Sequence, residues 1–336
     1  MNEGQSGRVT IQDVATNAGV SSGTVSRVLN NRPGVNSYTK GRVLDSMKRL
    51  GYRPDQAARE LSFARNTTIG LHVAYGVGRL QPFFALFLSH LAAELRDSGL
   101  RFEEIGSLKN GLPDRILDGM VLFGAHDADP RIPYLREKQI PFVLLGHADG
   151  VSCVAADDID GGRQAADHLM QLGHRKIACI LGGLHSQGEY DRLNGFQERL
   201  STSGIALDEE HILDGEFTSL GGYRAMRRAL EAGCDATAVF AASDEMAIGA
   251  IAAAEDHGLR VPLSLSVVGF DDIEGIAGNR LTTVRQSIGD LAHHAVVLLQ
   301  DELSGTPSGK KVLPVQLVVR QSTARLRTSP TEASGL

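Results

Sequence analysis

Within "VSSGTVSRVLNN", four short hydroxyls (Ser21, Ser22, Thr24 and Ser26), one guanidinium (Arg27) and an amide (Asn30) crowd into a single short stretch. Hydroxyls near a helix start can bond phosphate oxygens, and an outward arginine reaches guanine acceptors in a DNA major groove. A plain solvated helix surface would show the same spacing, so the pattern alone leaves both readings open. A second chemical set lies far downstream. Ser243 and Asp244 follow the apolar run "AVFAA", and Asp271 and Asp272 follow "SVVGF". Paired carboxylates suit a metal or acid catalysis, but no third ligand stands at a suitable spacing. They also suit a polyol, because ionised carboxylates accept hydrogen bonds from hydroxyls, and they commonly cap helices.

These groups need elements to hold them. Ile11, Val14, Ala15 and Ala18 recur at helical spacing, and Gly19 supplies a left-handed stop. Ser21 is placed to cap a second helix in which Val25, Val28 and Leu29 face inward. That leaves Ser22, Gly23, Ser26, Arg27 and Asn30 outward, and the whole reads as a helix-turn-helix. "YTKGRVLDSMKRLGY" reads as a third helix, with Val43, Leu44, Met47 and Leu50 closing a small core. Pro54 stops that helix and starts a short one over Asp55 to Ser62, which is marginal without a partner because nucleation is costly.

From Thr68 onward strand-like and helix-like stretches alternate. "TIGLHVAY", "LDGMVLFG", "IPFVLLG", "KIACILGG", "ATAVFAAS" and "SLSVVGFDD" are strands. "PFFALFLSHLAAELRDSG", "GGRQAADHLMQLGH", "YDRLNGFQERLSTSG" and "DEMAIGAIAAAEDHG" are helices. Such alternation implies an α/β body with parallel sheets. Its length implies two lobes and a cleft, with any ligand at the carboxyl ends of the strands.

Charge separates the same two regions. Residues 1–66 carry ten Lys or Arg against five Asp or Glu, and the remainder carries 24 against 35. A basic head on an acidic body suits a head that meets a polyanion. Cys153, Cys179 and Cys234 are odd in number and widely spaced, which argues against a disulfide framework or a zinc site. No apolar run reaches ~18 residues and the first twenty residues hold no apolar export core, so a cytoplasmic location is expected. An enzyme is not expected, since GxSxG, P-loop and HExxH patterns are missing, and neither is a cofactor.

"VTIQDVATNAGVSSGTVSRVLN", "LGYRPDQAAREL" and "TIGL" resemble the N-terminal region of LacI/GalR-family transcription regulators. The resemblance continues through "LGHRKIACILGG", "YDRLNGF", "AVFAASDEMAIGA", "LRVPLSLSVVGFDD", "LTTVRQSI" and "LVVRQSTARL". It implies a helix-turn-helix head (1–53), a hinge helix and linker (54–66) and a two-lobed body like periplasmic binding proteins (67–327). The lobes would take 67–157 with 286–314, and 158–285 with 315–327, ahead of a disordered tail (328–336). Ser22, Gly23 and Arg27 would read bases. Thr10, Ser21, Thr24, Ser26, Asn30, Asn36, Thr39 and Tyr52 would mostly position the protein on phosphates. Ala58 and Leu61 would lie in a minor groove, with Leu61 wedged between base pairs. Phe83 or Phe84, Asp157, Arg192, Phe217, Ser243, Asp271 and Gln286 would line an effector pocket.

The implied function is a homodimeric, ligand-responsive regulator, a repressor in the usual case, on a palindromic operator. Its effector would be a small sugar or glycoside. A nucleoside-like effector, or a sugar-binding protein without a DNA role, is the alternative. Two departures stand out. Relatives often carry a larger side chain in place of Gly23, and only "SLKNGLPDRI" separates "RFEEIG" from "LDGMVLFG", where a full helix is usual.

Overall fold

The computed structural model describes residues 9–29, 35–52, 67–74, 81–124, 129–183, 186–306 and 309–326. The proposed hinge segment and C-terminal tail therefore lie outside the described residues. The chain divides into two compact units, Met1–Thr67 with Ser98–Arg101, and Thr68–Asp97 with Phe102–Leu336.

In the first unit, α1 (Ile11–Ala18) opens with a capping box. Thr10 accepts from the Asp13 amide while the Asp13 carboxylate takes the Thr10 amide at 2.8 Å. Gly19 closes the helix at φ 60, the left-handed conformation that glycine adopts without penalty. At the start of α2 (Ser22–Leu29) the Ser21 hydroxyl accepts from the Thr24 amide at 3.1 Å. Asn36 caps α3 (Ser37–Leu50) in the same way, through the Thr39 amide at 2.8 Å. Val14, Ala15, Ala18, Val25, Val28 and Val43 form the core, with Met47, Leu50 and Tyr52 packed against it.

The expectation for Leu44 is corrected: it is 45% exposed. The inward stripe of α3 runs through Val43, Ser46, Met47 and Leu50, spaced i, i+3, i+4, i+7, and Leu44 sits one position off it. Buried Ser46 is tolerated because its hydroxyl lies 3.2 Å from the Val14 carbonyl and 3.0 Å from Asn17 Oδ1.

The second unit holds two six-stranded sheets. The first, ordered β11-β5-β4-β3-β1-β2, uses β1 (Thr68–Val73), β2 (Arg101–Ile105), β3 (Gly119–Phe123), β4 (Phe142–Leu145), β5 (Cys153–Ala156) and β11 (Lys310–Leu313). The second, ordered β12-β10-β9-β8-β6-β7, uses β6 (Ile177–Leu181), β7 (Ile212–Asp214), β8 (Ala238–Ala241), β9 (Ser266–Asp271), β10 (Thr282–Arg285) and β12 (Gln316–Val318). One expectation needs amendment here: β12 runs antiparallel to β10 along the sheet edge, while β6 to β10 pair in parallel. Between β2 and β3 the chain makes turns and an isolated bridge, Ser107 to Pro113, and no helix.

Helices α4 (Pro82–Asp97), α5 (Arg131–Glu137), α6 (Asp158–Gln171), α7 (Gln187–Ser201), α8 (Ser219–Glu231), α9 (Asp244–Asp256), α10 (Glu274–Ala277) and α11 (Ile288–Ser304) complete the body. Short segments at Asp157, Gln286–Ser287 and Pro314–Val315 carry the chain from one sheet's lobe to the other. No helix among the described residues is long and apolar enough to cross a membrane.

Replacing Leu44 by Ser should change head stability by less than about 0.5 kcal/mol. Val43→Ala, which removes two buried methyls and leaves a cavity, should cost about 2 kcal/mol. Amide exchange of α1–α3 in the full chain measures both, and equal losses would contradict the stripe assignment.

Candidate functional site

A cavity of about 790 Å3 opens between the lobes of the second unit. Its wall is built from residues that follow parallel strands: Gly124 after β3, Gly146 after β4, Gly182 after β6, Ser243 after β8, and Asp271 at the end of β9. Carboxyl ends of strands are where open α/β sheets bind ligands.

Arg192 forms the floor of the cavity, and glycines put it there. A Cβ at Gly162 would fall 2.1 Å from the Arg192 carbonyl, and one at Gly195 would fall 2.0 Å from the Ile159 carbonyl. Helices α6 and α7 therefore touch backbone to backbone. That contact brings Asp158, in the first turn of α6, against Arg192 on α7, with Oδ1 2.8 Å from Nε. Nη1 donates to the Ala242 carbonyl at 2.6 Å and lies 3.6 Å from Asp271 Oδ1. The guanidinium carbon stands 3.7 Å from the centroid of the Phe270 ring. That ring fits because Gly161 has no Cβ, which would come within 2.6 Å of the ring edge. Gln286, on a segment linking the lobes, donates to Asp271 Oδ1 at 2.5 Å.

Burial opposes charge throughout this group. It disfavours the Arg192 cation, but Asp158 and Asp271 outweigh that and hold the guanidinium charged. Burial likewise pushes the Asp158 and Asp271 carboxyls up, against the pull of Arg192, and Asp271 rises well above the usual carboxylate range. Phe217 adds an aromatic wall. It takes φ 50, and a Cβ at Gly182 would sit 1.9 Å from its ring, so the ring packs directly against bare backbone. Glu216, Phe217 and Asp271, all lining the cavity, have positive φ without being glycine. Such strained backbone gathers at ligand sites.

Of the expected pocket residues, Phe83, Arg192, Phe217, Ser243, Asp271 and Gln286 line the cavity. Two do not. Phe84 is 2% exposed, with its ring edge against Phe123 at 4.9 Å, because helix α4 turns Phe83 outward and Phe84 into the core. Asp157 is the cap of α6 and accepts from the Asp160 amide at 3.0 Å, so its side chain folds back on its own helix. Asp158 faces the cavity in its place. Asp244 and Asp272 are structural. Asp244 takes the Thr283 hydroxyl at 2.5 Å and the Ile273 amide at 2.8 Å, while Asp272 pairs with Arg285 and Arg320. Sequence reasoning missed Asp158, Glu189, Glu245 and Phe123. For Asp158 the available signal was positional: a cap consumes its own side chain, which leaves the next residue to project into the cleft.

In the first unit, Gly23 and Arg27 are exposed on α2 and Ser22 and Thr24 are half-buried. The polar atoms of Thr10, Ser21 and Asn36 already serve as caps, Thr39 presents its amide to Asn36, and Tyr52 packs on the core. A Cβ at Gly23 would meet only Ser21 Oγ at 3.7 Å, so the fold itself does not demand glycine there. Asn30, Ala58 and Leu61, and the side chain of Ser26, lie outside the described residues.

The profile described as bacterial regulatory proteins, lacI family, matches residues 10–55, and that of the periplasmic binding protein-like domain matches residues 166–323. The HTH-type transcriptional regulator CelR of Thermobifida fusca is 36% identical, over 94% of this chain and 98% of its own. The chain belongs to the lacI family. It is accordingly a DNA-binding transcription regulator, and within the family catabolite control protein A of Priestia megaterium is 30% identical, over 94% and 99% of the two chains. Among solved family structures, a CelR–cellobiose complex is 34% identical with a TM-score of 0.70, covering 94% of this chain and 100% of that one. A lac repressor dimer bound to operator and the anti-inducer ONPF is 27% identical with a TM-score of 0.68, covering 95% and 100%.

Desolvation pushes the Asp244 carboxyl up to about 7, although the Thr283 and Ile273 hydrogen bonds pull it down. The folded chain then keeps this proton up to about pH 7, whereas the unfolded chain releases it near the ordinary aspartate value of 3.8. Stability should therefore fall as pH rises through that window. In Asp244→Asn the loss of melting temperature between pH ~5 and ~8 should be smaller than in the parent chain. A loss of equal size would show that Asp244 does not hold the proton.

Proposed function

We propose that the chain represses transcription in the cytoplasm as a homodimer on a palindromic operator, and that a small sugar or glycoside in the interlobe cavity sets its affinity for that DNA. The observation that carries the effector reading is the Arg192, Asp158 and Asp271 group on the cavity floor beside the flat face of Phe217. A guanidinium fork donates to ring and hydroxyl oxygens, carboxylates accept from hydroxyls, and an aromatic face stacks on the apolar side of a sugar ring. The solved relatives support it: one holds cellobiose, and a family regulator from Enterococcus faecium, 29% identical, holds ribose. The lac repressor relative is a dimer on its operator. A nucleoside-like effector is the second reading, because Phe217 and Arg192 would serve a base as well, and repressors named PurR are among the relatives.

Effector closing the cavity needs to favour one lobe arrangement over another by only ~1–3 kcal/mol to change DNA affinity 5- to 150-fold. Fluorescence anisotropy of a labelled palindromic duplex tests the division of labour. The full chain should bind it with a steep loss on added salt. Residues 67–336 alone should lose DNA binding entirely while keeping the sugar-induced rise in melting temperature. Loss of both activities would contradict separable modules.

A further inference from the structure

Glu245 is the second residue of α9, two places beyond the Ser243 cap. It is 6% exposed and lines the cavity, yet neither of its carboxylate oxygens has a hydrogen-bond partner among the described residues. The other acids of the floor are engaged. Asp158 takes Arg192 Nε, Asp271 takes Gln286, and Glu189 takes the Gly182 amide. A carboxylate in a first helical turn gains from the helix dipole. That tolerance does not replace the two or more well-formed hydrogen bonds that a buried carboxylate forfeits here. Burial pushes its carboxyl up, against smaller pulls from its own backbone amide, the Ser243 hydroxyl and Arg192.

The charges around it point to what fills the gap. Among the described residues the cavity is lined by six carboxylates (Asp158, Glu189, Asp214, Glu216, Glu245 and Asp271) and by one cation, Arg192. Arg192 already spends Nε and one Nη1 hydrogen on protein acceptors, with Nη1 also facing Asp271, and its Nη2 makes no protein hydrogen bond among the described residues. Among the described residues negative charge thus exceeds positive charge, which favours a ligand that brings hydrogens over one that brings negative charge.

We infer that Glu245 is an effector-binding residue that takes two donor hydrogens from a saccharide bearing no acidic group, either from adjacent hydroxyls or from an ammonium. The inference rests on the sugar reading of this cavity and sharpens it. Uronates and sugar phosphates are excluded because their charge would meet Glu245 across a desolvated gap in which Arg192 is the one cation among the described lining residues.

The full chain, titrated with cellobiose, ribose, glucosamine, glucuronate and glucose 6-phosphate, tests this by melting temperature and calorimetry. A neutral or amino sugar should stabilise it, and the two acids should not. Glu245→Gln should weaken that binder at least tenfold, more for glucosamine than for a neutral sugar. The same variant should raise the melting temperature of the ligand-free protein, because it removes an unpaired buried charge. A structural role for Glu245 predicts the opposite pair, a lower melting temperature with unchanged affinity, and would overturn the inference. Preferential binding of either acid would also overturn it while leaving the sugar reading intact. If no sugar of the panel binds, the sugar reading fails and this inference fails with it.

Discussion

A charged guanidinium held out of water is the constraint on which the interlobe cavity depends. Moving an ion that size into a protein interior is costly, and it persists only where opposite charge and good hydrogen bonds surround it. Arg192 meets that demand from separate parts of the chain: Asp158 from α6, Asp271 from the end of β9, and the Ala242 carbonyl beyond β8. The Phe270 ring covers one face. Asp158 can reach Arg192 only if the two helices that carry them approach closely. Gly161, Gly162 and Gly195 make that possible, because a methyl group at any of them would strike a ring or a backbone carbonyl. The same device recurs between α8 and α9, where a Cβ at Gly222 would strike Met246 and one at Gly249 would strike Ser219. That second contact fixes the helix that carries Glu245. Small residues in helix interiors weaken the helices themselves by up to ~1 kcal/mol each, and here the weakening is offset by a positioned site.

Gln286 ties the floor to the rest of the body. It sits on a segment that passes from one sheet's lobe to the other and donates to Asp271, whose own backbone is held at φ 108. A ligand that engages Asp271 therefore acts on a residue already linked to a crossing point between lobes, a physical route from occupancy to lobe arrangement. The acidity of the body keeps this cavity unattractive to polyanions, while the basic excess lies in the first 66 residues.

Much of this was legible in the sequence, and the failures share a cause. Periodicity located α1 and α2, and the glycine at position 19 marked a real left-handed stop. The alternation of apolar runs with helical stretches gave the body, and the strand-end rule led to Ser243 and Asp271. Where adjacent residues compete for one role, however, the sequence carries no sign of which one wins. Ser46 took the buried place expected of Leu44 because a hydroxyl can be buried if two acceptors wait for it. Asp158 reached the cleft rather than Asp157 because Asp157 became a cap, and the choice left open between Phe83 and Phe84 fell to Phe83 because a helix turn sends neighbours to different faces. Glu245 gave no signal at all, since its peculiarity is a lack of partners, which only three-dimensional packing reveals. β12 escaped the parallel expectation because it is a short return segment after β11, joined by only two residues, and so follows no helix crossover.

If an effector binds on the cavity floor, the geometry of Arg192, and not merely its positive charge, must hold it. Calorimetric titration of Arg192→Lys with the sugar that stabilises the parent chain tests this directly, because lysine keeps the charge but loses the planar fork and the stacking face. The account predicts at least a 100-fold loss of sugar affinity, with affinity for the operator in the absence of sugar unchanged within twofold. Retention of sugar affinity within twofold would contradict it.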